Sequence, residues 1–455
     1  MRKRTFWRVA AMLLTITLIA AACGDDDDAV DTTAAPTTTA AAATTTQAPS
    51  TEPIVLCELA YYTGPFGPYG PSLTAEAVFP FYEVVNQDPP LGREITTVHE
   101  DIGTVGEGQA ARTCVEQHGA DIVLSPAHEY LGYRDWMLGV IADTGGPLLP
   151  TVHGGSIPGN IGGVAEEPIF RAQGSDEGQG VMDVAYADSL GLASIVIITT
   201  PTAGYQLAAD AAEKAAEVAG IEVLARIDAP GEAATYRTEV QQIIDLNPDA
   251  VVVQAQAVES ATMIKQAFEA GASLLWLGEL GWSETEFVGT ATPEAIEGAK
   301  GVYYPNFAMD ATTPAYDYYC PIWEGNPDYM QFTEDAGCAD PYAHTTYDLG
   351  IMTALAIEQG QSVLAADWAP AMQSVANAPG TVCYTYPECL ALIRAGEEID
   401  YYGVTGPETY TAGGVNAVIP AITPFNSDGT FGEPILLDAD RYIELLEPST
   451  SVYTG

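Results

Sequence analysis

A chemical site needs a nucleophile with its base, a metal cluster or a phosphate cradle, and this chain is poor in all of them. Its five histidines are His99, His118, His128, His153 and His344. None stands in H-E-x-x-H, the helical spacing that sets two imidazoles and a carboxylate around zinc. No G-x-S-x-G turn lifts a serine to the end of a strand as a nucleophile. Neither G-x-x-x-x-G-K nor a strand-linked G-x-G-x-x-G offers backbone amides to a phosphate. The run 154–163 is rich in glycine but lacks the lysine and a helix after it. His128 and His153 belong to loops without metal-ligand spacing, so no metal and no cofactor is expected. An exported α/β hydrolase is therefore a distant reading. The loops suit binding better: His153-Gly154-Gly155-Ser156 joins a hydroxyl to two glycines past which a ligand could approach the backbone.

The cysteines carry a second kind of chemistry. Apart from Cys23 there are six: Cys57, Cys114, Cys320, Cys338, Cys383 and Cys389. An even number in an exported chain favours disulfides over redox or metal roles. The spacings suggest two local loops, Cys320–Cys338 and Cys383–Cys389, leaving Cys57 for Cys114, although six cysteines allow about 15 pairings.

These residues must be positioned by elements, and the hydrophobic pattern supplies them. From Ile54 short apolar runs alternate with amphipathic segments, the signature of parallel sheets with crossover helices. Strands are expected at 54–60, 95–98, 121–124 and 147–152, with helices over 73–86, 107–117 and 130–142 between them. The pattern restarts after Phe170, with strands at 194–199, 221–227, 250–254 and 274–277 and helices over 177–189, 205–219, 236–245 and 259–270. Runs such as Ser194-Ile195-Val196-Ile197-Ile198 suit strands covered on both faces. A later portion holds a strand at 301–304 and a long helix over 342–359, and the tail has strand-like runs at 417–422 and 434–437. Two α/β blocks followed by returning segments imply two Rossmann-like lobes joined by about three crossings. Lobe 1 is expected over 52–171 plus 302–413, and lobe 2 over 172–301 plus 414–455. Ligands of open α/β sheets bind beyond the carboxyl ends of the strands, so facing loops of two lobes make a clamp.

The N-terminus addresses the chain to the cell envelope. A basic segment (Arg2, Lys3, Arg4, Arg8) precedes an apolar stretch from Val9 to Ala22, too short to span a bilayer and suited to a signal peptide over 1–22. It ends Leu18-Ile19-Ala20-Ala21-Ala22-Cys23-Gly24, which resembles the lipobox of bacterial lipoproteins, in which the cysteine is acylated. Residues 23–51, an aspartate run and a Thr/Ala tract, read as a solvated tether. Removing residues 1–22 takes away four basic residues and no acid. The formal charge then moves from −47 to −51, with 11 of the 15 Lys and Arg left. So acidic a surface repels phosphate backbones, which excludes nucleic acid as a partner.

At Tyr62-Thr63-Gly64-Pro65-Phe66-Gly67-Pro68-Tyr69-Gly70 the first strand's turn resembles that of type I periplasmic binding proteins, which bind branched-chain amino acids, amides and related solutes for ABC importers. Pro168-Ile169-Phe170-Arg171-Ala172-Gln173-Gly174-Ser175-Asp176 resembles that family's first crossing. The stretches 247–252 and 264–271 resemble its second-lobe strand and helix, and Gly406-Pro407 its last return. The resemblance spans about residues 54–440. It implies a non-enzymatic, monomeric binding protein with an ABC permease and ATPase as partners and the membrane touched only through the lipid. A sensory protein of the same fold is the alternative. It also implies a pocket. Tyr69 falls on a hinge-side aromatic, and His153-Gly154-Gly155-Ser156 falls where the family holds a carboxylate. The loop carrying His128 replaces a Ser/Thr-rich ligand loop, Tyr205 lies within one residue of a pocket aromatic, and Gln256 takes an aromatic's place. Glu279 stands one residue off the acid that binds an α-amino group.

The anchoring expectation is checked by fractionation. Cys23→Ser should move the protein from membranes to the soluble or secreted fraction. A variant that stays membrane-bound after a high-salt wash refutes the lipid anchor.

Overall fold

The computed structural model describes residues 50–450, except 65–66, 68–69, 284 and 333–336. The expectations for Tyr69 and for Cys23 with its signal segment lie outside the described residues. Two sheets organise the rest. The first is built from β1 (Ile54–Ala60), β2 (Ile95–Asp101) and β3 (Ile122–Leu124) in the order β2-β1-β3, all parallel. Bridges at Ile122–Leu148 and Ser125–Thr151 extend it to β4 (Leu149–Thr151), which pairs in parallel with β5 (Ile169–Arg171). Its helices include α1 (Gly70–Phe79), α2 (Glu107–Glu116) and α3 (Tyr130–Thr144). The helix expected to reach Asn86 stops at Phe79 and continues as a wider turn over Pro80–Val84. Pro80 has no N–H to donate and its ring crowds the carbonyl one turn back, so the regular ladder ends there.

The chain then builds α4 (Asp176–Ser189), β6 (Ser194–Thr199), α5 (Ala203–Ala219), β7 (Glu222–Asp228), α6 (Arg237–Leu246), β8 (Ala250–Gln254), α7 (Ala257–Glu269) and β9 (Leu275–Leu277). Along β6 the side chains alternate between two separate cores. Val196 and Ile198 face one and Ile195 and Ile197 the other, all fully buried. That explains why the run is apolar throughout, since neither face meets water. Burying each such side chain stabilises by about 1.5–3 kcal/mol.

One strand departs from the expected boundary. β10 (Gly301–Ala308), placed by the sequence with the first lobe, runs parallel to β9 and antiparallel to β13 (Ile419–Pro424). The seven-stranded sheet reads β14-β13-β10-β9-β8-β6-β7, with β14 at Ile435–Leu436. The reason is local: Val302 and Tyr304 bury in one core and Phe307 in the other, as a central strand requires. After β10 the chain returns to the first core with α8 (Pro314–Glu324), α9 (Pro341–Gly360), α10 (Ala365–Ala376), α11 (Tyr386–Arg394) and β12 (Ile399–Gly403), the last beside β11 (Thr381–Cys383). A terminal helix, α12 (Ala439–Ser449), had no counterpart in the sequence reading. Asp438 caps it by accepting from the Arg441 N–H, and Tyr442, Leu445 and Leu446 bury against α4 and α5.

Disulfides join Cys57–Cys114, Cys320–Cys338 and Cys383–Cys389, the pairing the spacings favoured. All six cysteines belong to the core of the first sheet. Closing a loop stabilises with the logarithm of its length. Replacing Cys57 and Cys114, 57 residues apart, should therefore cost more than replacing Cys383 and Cys389, 6 apart. The loop-entropy figures are about 4 and about 2 kcal/mol. Denaturant unfolding of the two double-serine variants checks the order, and the reverse order would show that strain or packing dominates.

Candidate functional site

The first wall is built on a buried acid. Glu107, at the start of α2, is fully buried and accepts from Ser125 Oγ at 2.8 Å, Tyr133 OH at 2.6 Å and the Glu129 N–H at 3.0 Å. Its own N–H donates to Glu129 Oε2 at 3.1 Å. Burial pushes the Glu107 carboxyl up, and these donors hold it back. The network fixes the loop after β3, in which Ala127 takes a positive φ of 57° and donates to Ser125 Oγ. His128 is thereby presented at the cleft.

There it joins a chain of rings. The Tyr61 hydroxyl, just past β1, lies 3.0 Å from His128 Nδ1. His128 stacks on His153 with centroids 5.6 Å apart, and His153 meets Tyr342 of α9 edge-on at 5.0 Å. His153 also bonds to Gln173, whose amide donates to Thr345 Oγ1 at 3.2 Å. Burial, then the neighbouring His128, pushes the His153 pKa down to about 3. Water reaches His128, but protein surrounds the rest of its ring and lowers its basicity, against the pull of Glu129. Both imidazoles are neutral at pH 7.

The second component is the crossing itself. Arg171 ends β5, fully buried, and its Nη2 donates to the carbonyls of Pro158 at 3.0 Å and Ile161 at 2.8 Å. A Cβ at residue 154 would lie 2.7 Å from the Arg171 Cγ, so Gly154 sits directly on this side chain. Asp176 follows at the start of α4, and its carboxylate is wedged between two glycines. A Cβ at residue 155 would lie 2.6 Å from its Oδ1, and one at residue 204 would lie 2.1 Å from its Oδ2. Burial first, then the charge of Glu177, pushes the Asp176 pKa up to about 6, with Arg171 opposing.

The third component lies at the strand ends of the second sheet. Asp183, on the same face of α4 as Asp176 two turns earlier, is fully buried. Its Oδ2 accepts from the Gln254 amide at 2.9 Å, and its Oδ1 has no hydrogen-bond partner. Burial raises its pKa well above the usual range, and Glu279 raises it further. Glu279 is buried just past β9 and accepts from the Gly281 N–H at 2.8 Å. Between the two acids on α4, Gln179 accepts from the Leu280 N–H at 2.9 Å.

The structure thus gathers His128, His153, Gly154, Gly155 and Ser156 on one wall. It brings Tyr205, half-buried in the first turn of α5, beside them through Gly204. Glu279 associates with Asp183, and Gln256 is exposed at the start of α7. Sequence reasoning passed over Tyr61, Asp183 and Tyr342 as site residues, and treated Gln173 and Asp176 only as part of a motif. The spacing of Asp176, Gln179 and Asp183 was the available signal, since it puts three polar groups on one helical face. Among the described residues, the one grouping with metal-ligand proximity, Cys320, Glu324 and Cys338, contains a disulfide and offers no thiolate. A solvent-open depression on α6, lined by Arg237, Gln241 and Asp245, lies along a single helix and gathers none of this chemistry.

A family model described as periplasmic binding protein matches residues 54–376. No curated protein sequence matches the chain. Among solved structures, a leucine-binding protein from Thermotoga maritima shares 14% identity at a TM-score of 0.62, over 85% of this chain and 99% of that one. A branched-chain amino acid transporter substrate-binding protein from Streptococcus pneumoniae, in complex with isoleucine, shares 16% at 0.59, over 85% and 99%. An ABC transporter solute-binding protein from R. palustris, in complex with benzoate, shares 15% at 0.56, over 85% and 96%. At such identities the likeness is one of fold.

The wedged carboxyl gives a pH test. A carboxyl whose folded pKa is raised binds its proton more tightly in the native state, so its contribution is complete below the unfolded value near 4 and is lost as pH rises through about 6. Asp176→Asn removes that loss. Relative to the parent, the variant's melting temperature should rise between pH 4 and pH 6.5 and then stay level. A constant difference across that range would show that Asp176 titrates normally.

Proposed function

This chain belongs to the periplasmic binding protein family, and from that premise we propose that it is an extracytoplasmic solute-binding lipoprotein of an ABC importer. It captures a small polar solute between two lobes. The first carries the β1–β4 loops, and the second carries the loops of the seven-stranded sheet. The chain crosses between them near Arg171, Asp310 and Val415. Cys23 holds it to the membrane by lipid, and residues 23–51 serve as the tether. Related structures hold isoleucine in one case and benzoate in another, so the shared fold accommodates different solutes and the walls of the cleft select among them.

One observation carries the reading. Side chains from the two lobes converge at the crossing. The position of a Cβ on Gly204 of α5 lies 2.1 Å from Asp176 Oδ2 and 3.6 Å from Ser156 Oγ. A solute bound there touches both lobes and favours the closed form by as much as it binds that form better than the open one. No reacting group is required. The neutral histidines have hydrogen-bonded or stacked neighbours in Tyr61, Gln173 and Tyr342.

A thermal-shift screen over amino acids, amides, amines and small carboxylates tests this. A solute specific to the folded cleft should raise stability by about 2.7 kcal/mol at a hundredfold excess over its dissociation constant. Small-angle scattering at saturation should show compaction. A screen without a single stabilising solute, with scattering unchanged, refutes solute capture.

A further inference from the structure

The cleft supplies negative charge from one side and neutral rings from the other, with a protein carboxylate already in the glycine gap between them. We propose that its ligand is a cation without an adjoining carboxylate, an amine or alkylated ammonium, and not a zwitterionic amino acid. This deepens the solute-binding reading and rests on it.

The first support is the place Asp176 occupies. Its oxygens fill the gap between Gly155 and Gly204, so close that neither residue could carry a side chain. This is the Gly-Ser loop at which the resemblance alone would have put a ligand carboxylate. A second carboxylate beside Asp176 would set two like charges in a partly dry site, where such pairs repel strongly. An ammonium in the same place is attracted.

The second support is an acid left incomplete. Asp183 is fully buried with Oδ1 unpartnered, and Glu279 adjoins it. A buried polar atom without a partner is costly, and a donor arriving with the ligand removes that cost. Arg171, at the crossing, lies sealed beneath Gly154 with its Nη2 held by two backbone carbonyls, and its unpartnered Nε and Nη1 are buried with it. Other cations, such as Arg226, Arg394 and Arg441, are engaged with acids elsewhere.

The third support is the opposite wall. Tyr61, His128, His153 and Tyr342 form a run of rings in contact. Faces of neutral aromatic rings attract cations, alkylated ammonium groups included. A carboxylate has no such attraction to a ring face.

Matched pairs differing only by a carboxylate decide the matter: 3-methylbutylamine against leucine, putrescine against ornithine, tetramethylammonium against glycine betaine. Titration calorimetry on the whole mature protein should show the carboxylate-free member of at least one pair binding tenfold or more tightly than its partner. Asp176→Asn, with its fold checked by melting without ligand, should narrow that ratio at least tenfold by admitting the zwitterion. Equal or tighter binding of the zwitterions overturns the cation reading while leaving solute capture intact. So does binding of an amide or carboxylate when every amine fails. Failure of every solute class overturns both.

Discussion

The buried guanidinium of Arg171 is the constraint on which the rest of the cleft depends. A fully buried charge persists only where fixed partners repay its lost hydration. Here two carbonyls of the 158–161 loop hold Nη2, with Asp176 and Glu177 nearby, while Nε and Nη1 lack hydrogen-bond partners and burial still lowers the guanidinium's proton affinity. The same residue donates its backbone N–H to Gly414 and bridges to Val415, so the first crossing is laced to the last. Gly154 rests on its methylenes, which sets the height of the loop carrying His153 and Ser156. Removing this side chain would unfasten the 158–161 loop and take away the positive charge that acts on Glu177, while the backbone link between the crossings would remain.

Around that fixed point the two walls are made by different physics. The first is a rigid lattice of neutral donors and rings, anchored on Glu107, whose hydrogen bonds leave little room for rearrangement. The second is a row of carboxyls on α4 and past β9, held by side-chain and backbone amides. Desolvation raises the proton affinity of these acids and lowers that of the histidines. The cleft as a whole is therefore less highly charged at neutral pH than its composition suggests, and it responds strongly to a charge brought in from outside.

A hinge of this construction also accounts for where the disulfides lie. All six paired cysteines serve the core of the first sheet, which is assembled from segments as far apart as β1 and β12. The second sheet has two continuous cores over a single run of alternating strands and helices. It closes without covalent help except for the late return of β13, β14 and α12.

The sequence by itself determined the alternating α/β build, the restart after Phe170 and the strands β6 and β8 to the residue. Period-2 and period-3.6 hydrophobicity are local properties that survive without a partner. It also placed the His153–Ser156 loop correctly at a strand end. It assigned β10 to the wrong sheet, because which sheet a strand joins depends on neighbours 26 and 111 residues away, such as Leu275 and Ile419 paired to Gly301 and Ala308 within one strand. It carried helix α1 past Pro80 and overlooked α12, though the Asp438 cap and the Tyr442, Leu445 and Leu446 spacing were readable. Only the tertiary structure decided that Asp176, rather than a ligand, sits between Gly155 and Gly204, and that Asp183 is buried with an oxygen unpartnered. Those outcomes turn on approach distances of a few ångströms between residues from different lobes. No property of a linear pattern encodes them, because they exist only once both sheets have folded and met.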